Sequence, residues 1–126
     1  MKSFAATCLL LSSLFLGSLY NADHMDHFSH RLSFEIQTSQ EAARQGNWAL
    51  ASKTLGHAKS LWDAQETYLH IIISHNELDE SEVLFSEIRE YAAHRECSRY
   101  CSSAERLRAQ LSHLSETQQL KLGNIL

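Results

Sequence analysis

Gly46-Asn47-Trp48-Ala49-Leu50-Ala51-Ser52-Lys53-Thr54-Leu55-Gly56-His57-Ala58-Lys59-Ser60-Leu61-Trp62 is the stretch that decides the fold. Trp48, Ala51, Leu55, Ala58 and Trp62 recur at alternating steps of three and four. That spacing puts them on one face of an α-helix, with both tryptophans turned to the core. The two residues in front are a stop and a start. Gly46 suits the left-handed position that closes a preceding helix, and Asn47 offers a side-chain oxygen to the free N–H groups of the next one.

The same periodicity continues on both sides. Toward the N-terminus, Met25, Phe28, Leu32, Ile36, Ser39 and Ala43 form one stripe. Toward the C-terminus the phase reaches Leu69 and Ile72, which predicts a helix running to about Ser74, with a break near Asp63 to Glu66 as the alternative. Leu69 to Ile73 is rich in isoleucine and would favour a strand in isolation, but its phase and its flanks are helical. Ser74-His75-Asn76-Glu77 has the form of a capping box. It opens a helix with the stripe Leu78, Ser81, Phe85, Ile88, Ala92. A last long helix carries Cys97, Cys101, Ala104, Leu107, Leu111 and Leu114. Ser115-Glu116-Thr117-Gln118 reads as one more box, starting a short C-terminal turn with Leu120, Leu122, Ile125 and Leu126. The expected fold is all-α: an N-terminal membrane or signal helix over residues 1–22, then an antiparallel bundle of about four helices over residues 23–126.

Composition agrees. The chain has 126 residues, four glycines and no proline, where average usage would supply about six prolines. Loop-rich and most all-β architectures need that punctuation. A hydrophobic fraction of 44% with 21% charged residues excludes global disorder. An offset of 49 relates Ile36 to Phe85, Ala43 to Ala92 and Trp62 to Leu111, as expected of two helical hairpins of similar geometry. Gly46-x-Trp48-x-x-Ala51 also has the pattern of tetratricopeptide helices, but two hairpins are fewer than the three repeats such arrays need.

Phe4 to Tyr20 is an uncharged, mostly apolar run, and Lys2 is the one charged side chain among the first 22 residues. As a helix the run spans about 26 Å, at the short edge of what crosses a bilayer. An uncleaved anchor is favoured over a secretory signal, because Tyr20 before Ala22 and Leu16 before Ser18 spoil the small-x-small cleavage pattern. In either case the positive end stays cytoplasmic and the side beginning with Asp23 and Asp26 is exported. A buried helix of a cytosolic domain is the remaining reading. Nothing between Tyr20 and His24 breaks a helix, so the apolar run and the first bundle helix are expected to form one rod.

The formal net charge is −4. Arg89, Arg95, Arg99, Arg106 and Arg108 are interleaved with Glu87, Glu90, Glu96 and Glu105, which describes a solvated helix face and no nucleic-acid surface. Of the three cysteines, Cys97 and Cys101 alone could meet outside the apolar run. Four apart on a helix they are poorly aimed for a disulfide, so two partly buried thiols are expected. Eight histidines invite a metal reading. His24, His27 and His30 are helix neighbours that could hold a divalent ion beside the membrane, although a titratable polar face is the favoured reading. His94-x-x-Cys97-x-x-x-Cys101 is a second such grouping, lying on the expected core stripe. His75 and Glu77 could pair as acid and base, but they flank a helix start, where capping uses the same groups. The chain has no phosphate-binding glycine loop, no H-E-x-x-H and no G-x-S-x-G. No enzyme activity and no cofactor are expected.

Gly46-Asn47-Trp48-Ala49-Leu50-Ala51, then Trp62, then Ile73-Ser74-His75-Asn76-Glu77-Leu78-Asp79 and the ending Leu122-Gly123-Asn124-Ile125-Leu126 together resemble the family catalogued as domain of unknown function 4363. The resemblance covers nearly the whole chain. It marks Trp48, Ala51, Trp62, His75, Glu77 and Asn124 as shared positions. It implies a membrane-anchored, exported helical domain of spore-forming Gram-positive bacteria, with a multi-pass membrane protein as partner, and it implies no activity. The eight histidines and the Cys97/Cys101 pair depart from the Lys/Glu-rich surface usual in that family. The function expected is a non-catalytic accessory or scaffold that binds another envelope protein. The alternative is a ligand- or metal-binding sensor using His24, His27 and His30.

Overall fold

The computed structural model describes residues 1–125, with the side chain of Ile125 outside the described set. Leu126, the last residue of the Asn124-Ile125-Leu126 ending, also lies outside it. Five helices follow one another: α1 (Lys2–Arg44), α2 (Trp48–Ala64), α3 (Glu66–Ile72), α4 (His75–Ala93) and α5 (Cys97–Ile125). The described residues contain no strand.

α1 is the expected rod. Its 43 residues run unbroken from the apolar run into the bundle, a length of about 65 Å. α1 packs against α2 and α5, and α4 closes the ring against α5 and, more loosely, α2. The hydrogen bonds fix an up-down-up-down order. Residues 39, 24 and 21 of α1 meet residues 51, 65 and 68 of the descending α2–α3 arm. Residues 29, 26 and 22 meet residues 111, 115 and 119 of the descending α5. Met25, Leu32, Ile36, Ser39 and Ala43 are buried as their periodicity requires, joined by Leu55, Trp62, Phe85, Leu107 and Leu111.

Two connections share one geometry. At the end of α1, the Gly46 N–H donates to Ala43 O and the Asn47 N–H to Ala42 O, with Gly46 at φ 76°. At the end of α4, the Arg95 N–H donates to Ala92 O and the Glu96 N–H to Tyr91 O, with Arg95 at φ 53°. Both are Schellman motifs, in which the residue past the helix must be left-handed. The two turns stand 49 residues apart, the offset already seen in the apolar stripes. Glycine adopts that φ freely and arginine does not. Arg95→Gly is therefore expected to stabilise the chain by roughly 0.5–1 kcal/mol, and Gly46→Ala to destabilise it by about 1 kcal/mol. Urea denaturation midpoints measure both; equal shifts of the same sign would refute the assignment.

Two expectations need correction. The helix beginning at Trp48 does not reach Ser74 but breaks at Gln65, as the alternative reading had it. Gln65 leaves helical geometry at φ −101°, ψ 10°. Its side-chain oxygen lies 3.0 Å from His24 Nε2, and the Tyr68 hydroxyl donates to Asn21 Oδ1. These two bonds tie α3 down onto α1, a tertiary demand that overrides local phase. Ser115 does not cap a new turn, because α5 is continuous through it. Its hydroxyl instead donates to Asp26 Oδ1 on α1 at 3.3 Å. The Ser74 box does form. Ser74 Oγ accepts the Glu77 N–H, and the Ser74 hydroxyl lies 2.9 Å from Glu77 Oε2.

Candidate functional site

Residues 2–14 of α1 stand clear of the bundle. Phe4, Leu9, Leu10, Leu11, Leu14 and Leu16 are all exposed, and the most apolar stretch of the helix has no neighbour to cover it. Among the described residues this helix alone is long and apolar enough to cross a membrane, by length and composition; a signal sequence passes the same test. From Ala22 onward the same helix supplies a buried face.

The positions marked by the sequence do mainly structural work. Trp62 is buried between Phe28 and Phe85, with ring centroids 6.3 and 6.0 Å away, and its indole N–H donates to Glu82 at 2.8 Å. Ala51 is fully buried, and its carbonyl accepts from the Ser39 hydroxyl at 2.7 Å, with the Tyr100 hydroxyl oxygen 3.3 Å away. Trp48 is only half-buried and stands edge-on to Tyr100 at 5.4 Å, so the two tryptophans do not share one depth in the core. Glu77 is held by Ser74 and lies 3.5 Å from His113 on α5. His75 faces His70, ring to ring, at 6.0 Å and is exposed. Asn124 is exposed on the last turn of α5.

The structure does not bring His24, His27 and His30 together. His24 is turned to Gln65 and packs edge-on against Tyr68 at 4.7 Å, whereas His27 pairs with Asp23 and His30 with Asp26, both exposed. Successive residues three apart on a helix drift by about 60°, and whereas Gln65 and Tyr68 claim His24, His27 and His30 are each held by a carboxylate one turn earlier on α1. Among the described residues no three His, Cys, Asp or Glu side chains converge as a metal site. His94 is turned to Glu90, away from Cys97 and Cys101. Those two cysteines are free and half-buried, with their thiols toward Ala43 O and Gln40 O.

One polar cluster was missed by the sequence reading. Tyr100 is fully buried with its hydroxyl hydrogen-bonded to Ser39. Beside it, Gln40 donates to Cys101 O at 3.1 Å and to Glu105 at 3.0 Å, while its own oxygen finds no partner. A signal for Tyr100 was present: it precedes Ala104, Leu107, Leu111 and Leu114 in the same helical phase, which Cys97 and Cys101 only flank. Burial raises the Tyr100 hydroxyl above its ordinary value, partly offset by the Ser39 bond. The hydrogen bond from Gln40, with Arg108 close by, holds the Glu105 carboxyl below the usual range. A raised tyrosine favours the fold while neutral, so its contribution is lost as pH climbs through the folded value. A lowered carboxylate favours the fold while charged, so its contribution is lost as pH falls. Tyr100→Phe is expected to flatten the alkaline loss of stability above about pH 10. Glu105→Gln is expected to flatten the acid loss below about pH 4.5. Unfolding midpoints measured across pH read both, and unchanged limbs would contradict the stated causes.

Two of the grooves on the described surface lie along helix seams. One, of 630 Å³ between α1 and α5, is lined by Asp26, His30, Ser33, Glu105 and Arg108, with Arg108 already engaged by Glu105 and Ser33. The other, of 430 Å³ over the looser α2–α4 seam, has Leu55, Gly56 and Phe85 beside Lys59 and Arg89, with Lys59 paired to Asp63 and Glu82.

The fold and these sites define a small up-down helical bundle carried on a long apolar helix, with its polar interior groups engaged in holding helices together. The chain belongs to the family described as Domain of unknown function (DUF4363), whose profile matches residues 19–125. No curated protein and no solved structure matches it.

Proposed function

We propose that the chain is a membrane-tethered module, exported behind its anchor, that binds another envelope protein through helix contacts and performs no catalysis. The observation that carries this reading is the continuity of α1. One rigid helix has an uncovered apolar half and a buried half that forms a full face of the bundle. A contact made on the apolar half is transmitted directly into the position of the bundle. Lys2 before the apolar run, with no Lys or Arg in residues 21–30 after it, favours a cytoplasmic N-terminus. What speaks for a non-catalytic role is the engagement of Glu77 and Tyr100 in bonds between and within helices.

The test is photocrosslinking in cells, with a benzoyl-phenylalanine in place of Leu10 or Leu14. A discrete adduct with one membrane protein is the expected result. Adducts with lipid alone, or with a second copy alone, would overturn the partner. A mature chain beginning after Ala22 would overturn the anchor.

A further inference from the structure

We propose that the end of the bundle from which α1 emerges is a lipid-seated foot, in which Tyr20, Tyr68, Ile71, Leu120 and Lys121 lie in the interfacial layer of the bilayer that α1 enters. This rests on the anchor reading above. Three observations meet here.

First, the register of α5 along α1 carries it past Asp23, the charged residue that bounds the apolar run. Leu111 lies at Ser29, Ser115 at Asp26 and Gln119 at Ala22. Continued at that rate, Leu120 to Asn124 run beside α1 from about Asn21 back to about Gly17. Phe15 and Ser18 are half-buried, unlike their exposed neighbours, in keeping with that overlap.

Second, α3 is tied to the same level. Tyr68 donates to Asn21 at 2.8 Å, and Ile72 O accepts from Gln118 at 3.3 Å and Lys121 at 3.4 Å. This end gathers Ile71, 77% exposed, Leu120, 70% exposed, and Tyr20, 64% exposed. Large apolar side chains left in water beside tyrosines and a lysine have the composition of a membrane interface.

Third, the length of the anchor demands contact. Lys2 and Asp23 bound an uncharged stretch of 20 residues, about 30 Å of helix, which equals the hydrocarbon thickness of a bilayer. Were the last turns of α5 held clear of the membrane, only residues up to about Gly17 would remain to span it, several ångströms short. Seating the foot in the interface, at the depth of about 5–10 Å reached by amphipathic helices, removes the mismatch.

The full chain is reconstituted in phosphatidylethanolamine–phosphatidylglycerol vesicles with a benzoyl-phenylalanine in place of Ile71, Leu120 or Phe34. Phe34 is equally exposed but lies about 18 Å up α1 from Ala22. Lipid adducts at 71 and 120, at least tenfold above those at 34, are expected. Equal yields at all three positions in a chain that floats with the vesicles would overturn the foot and leave the anchor standing, as would adducts to protein alone at 71 and 120. A chain that does not float overturns both. As a second measurement, Ile71→Glu with Leu120→Glu is expected to speed amide exchange in α3 at least tenfold in vesicles, with α2 and α4 unchanged. Unchanged exchange in α3 would count against the foot.

Discussion

Trp62→Ala is expected to remove about 3–5 kcal/mol of stability, the cost typical of truncating a buried aromatic. A domain of ordinary stability holds only about 5–15 kcal/mol, so the variant loses a large share of what keeps it folded. The size of the effect follows from position. Trp62 fills the space between Phe28 of α1 and Phe85 of α4, on opposite sides of the ring of helices. No small rearrangement of one helix can close that gap. The indole N–H also fixes Glu82, which with Asp63 holds Lys59 over the looser α2–α4 seam. Trp62→Phe keeps most of the packing and loses the hydrogen bond, so it is expected to fall well short of the alanine loss. Urea denaturation of both variants reads the difference. An alanine loss below about 1 kcal/mol would mean that this tryptophan is not the keystone of the core.

Leu10→Arg combined with Leu14→Arg is expected to abolish membrane retention while leaving the bundle intact. An arginine near the centre of a membrane helix costs about 2.5–3.5 kcal/mol on insertion scales, so the pair costs on the order of 6 kcal/mol. Neither leucine touches the bundle, since both are exposed. Membrane flotation should therefore fail, while the thermal midpoint of the bundle shifts by no more than a degree or two. A lowered midpoint would show that the apolar half of α1 folds back onto the bundle, contrary to its uncovered state. Retention despite two arginines would show that the bundle is held at the membrane by something other than α1.

Much of this architecture is legible in order. The stripes on α1, α2 and α4 are local, because a helix brings residues three and four apart together whatever else the chain does. Gly46-Asn47 and Ser74 are legible for the same reason: their bonds close within a few residues. The turn at Arg95 is another matter. It has the geometry of the Gly46 turn, but no glycine announces it, and the strain is borne by an arginine. The Ser115 box shows the opposite failure, a correct local pattern diverted to a partner on α1.

The candidate sites divide along the same line. Trp62 and Ala51 were placed correctly in the core. Their partners, Glu82, Ser39 and Tyr100, were not foreseen, because hydrogen bonds across 12 to 49 residues leave no local trace. His24, His27 and His30 looked like one cluster in sequence and became three separate contacts, one reaching across to Gln65 and Tyr68 and two made within α1 with Asp23 and Asp26. Sequence by itself determined the helices, the unbroken rod of α1 and the place where an apolar half gives way to an amphipathic one, since periodicity and hydropathy act within a single helix. Tertiary structure alone decided that α5 descends past Ala22 and that α3 is bent under the bundle. That decision sets which apolar side chains lie where the apolar half of α1 leaves the bundle, because it depends on side chains far apart in the chain satisfying one another.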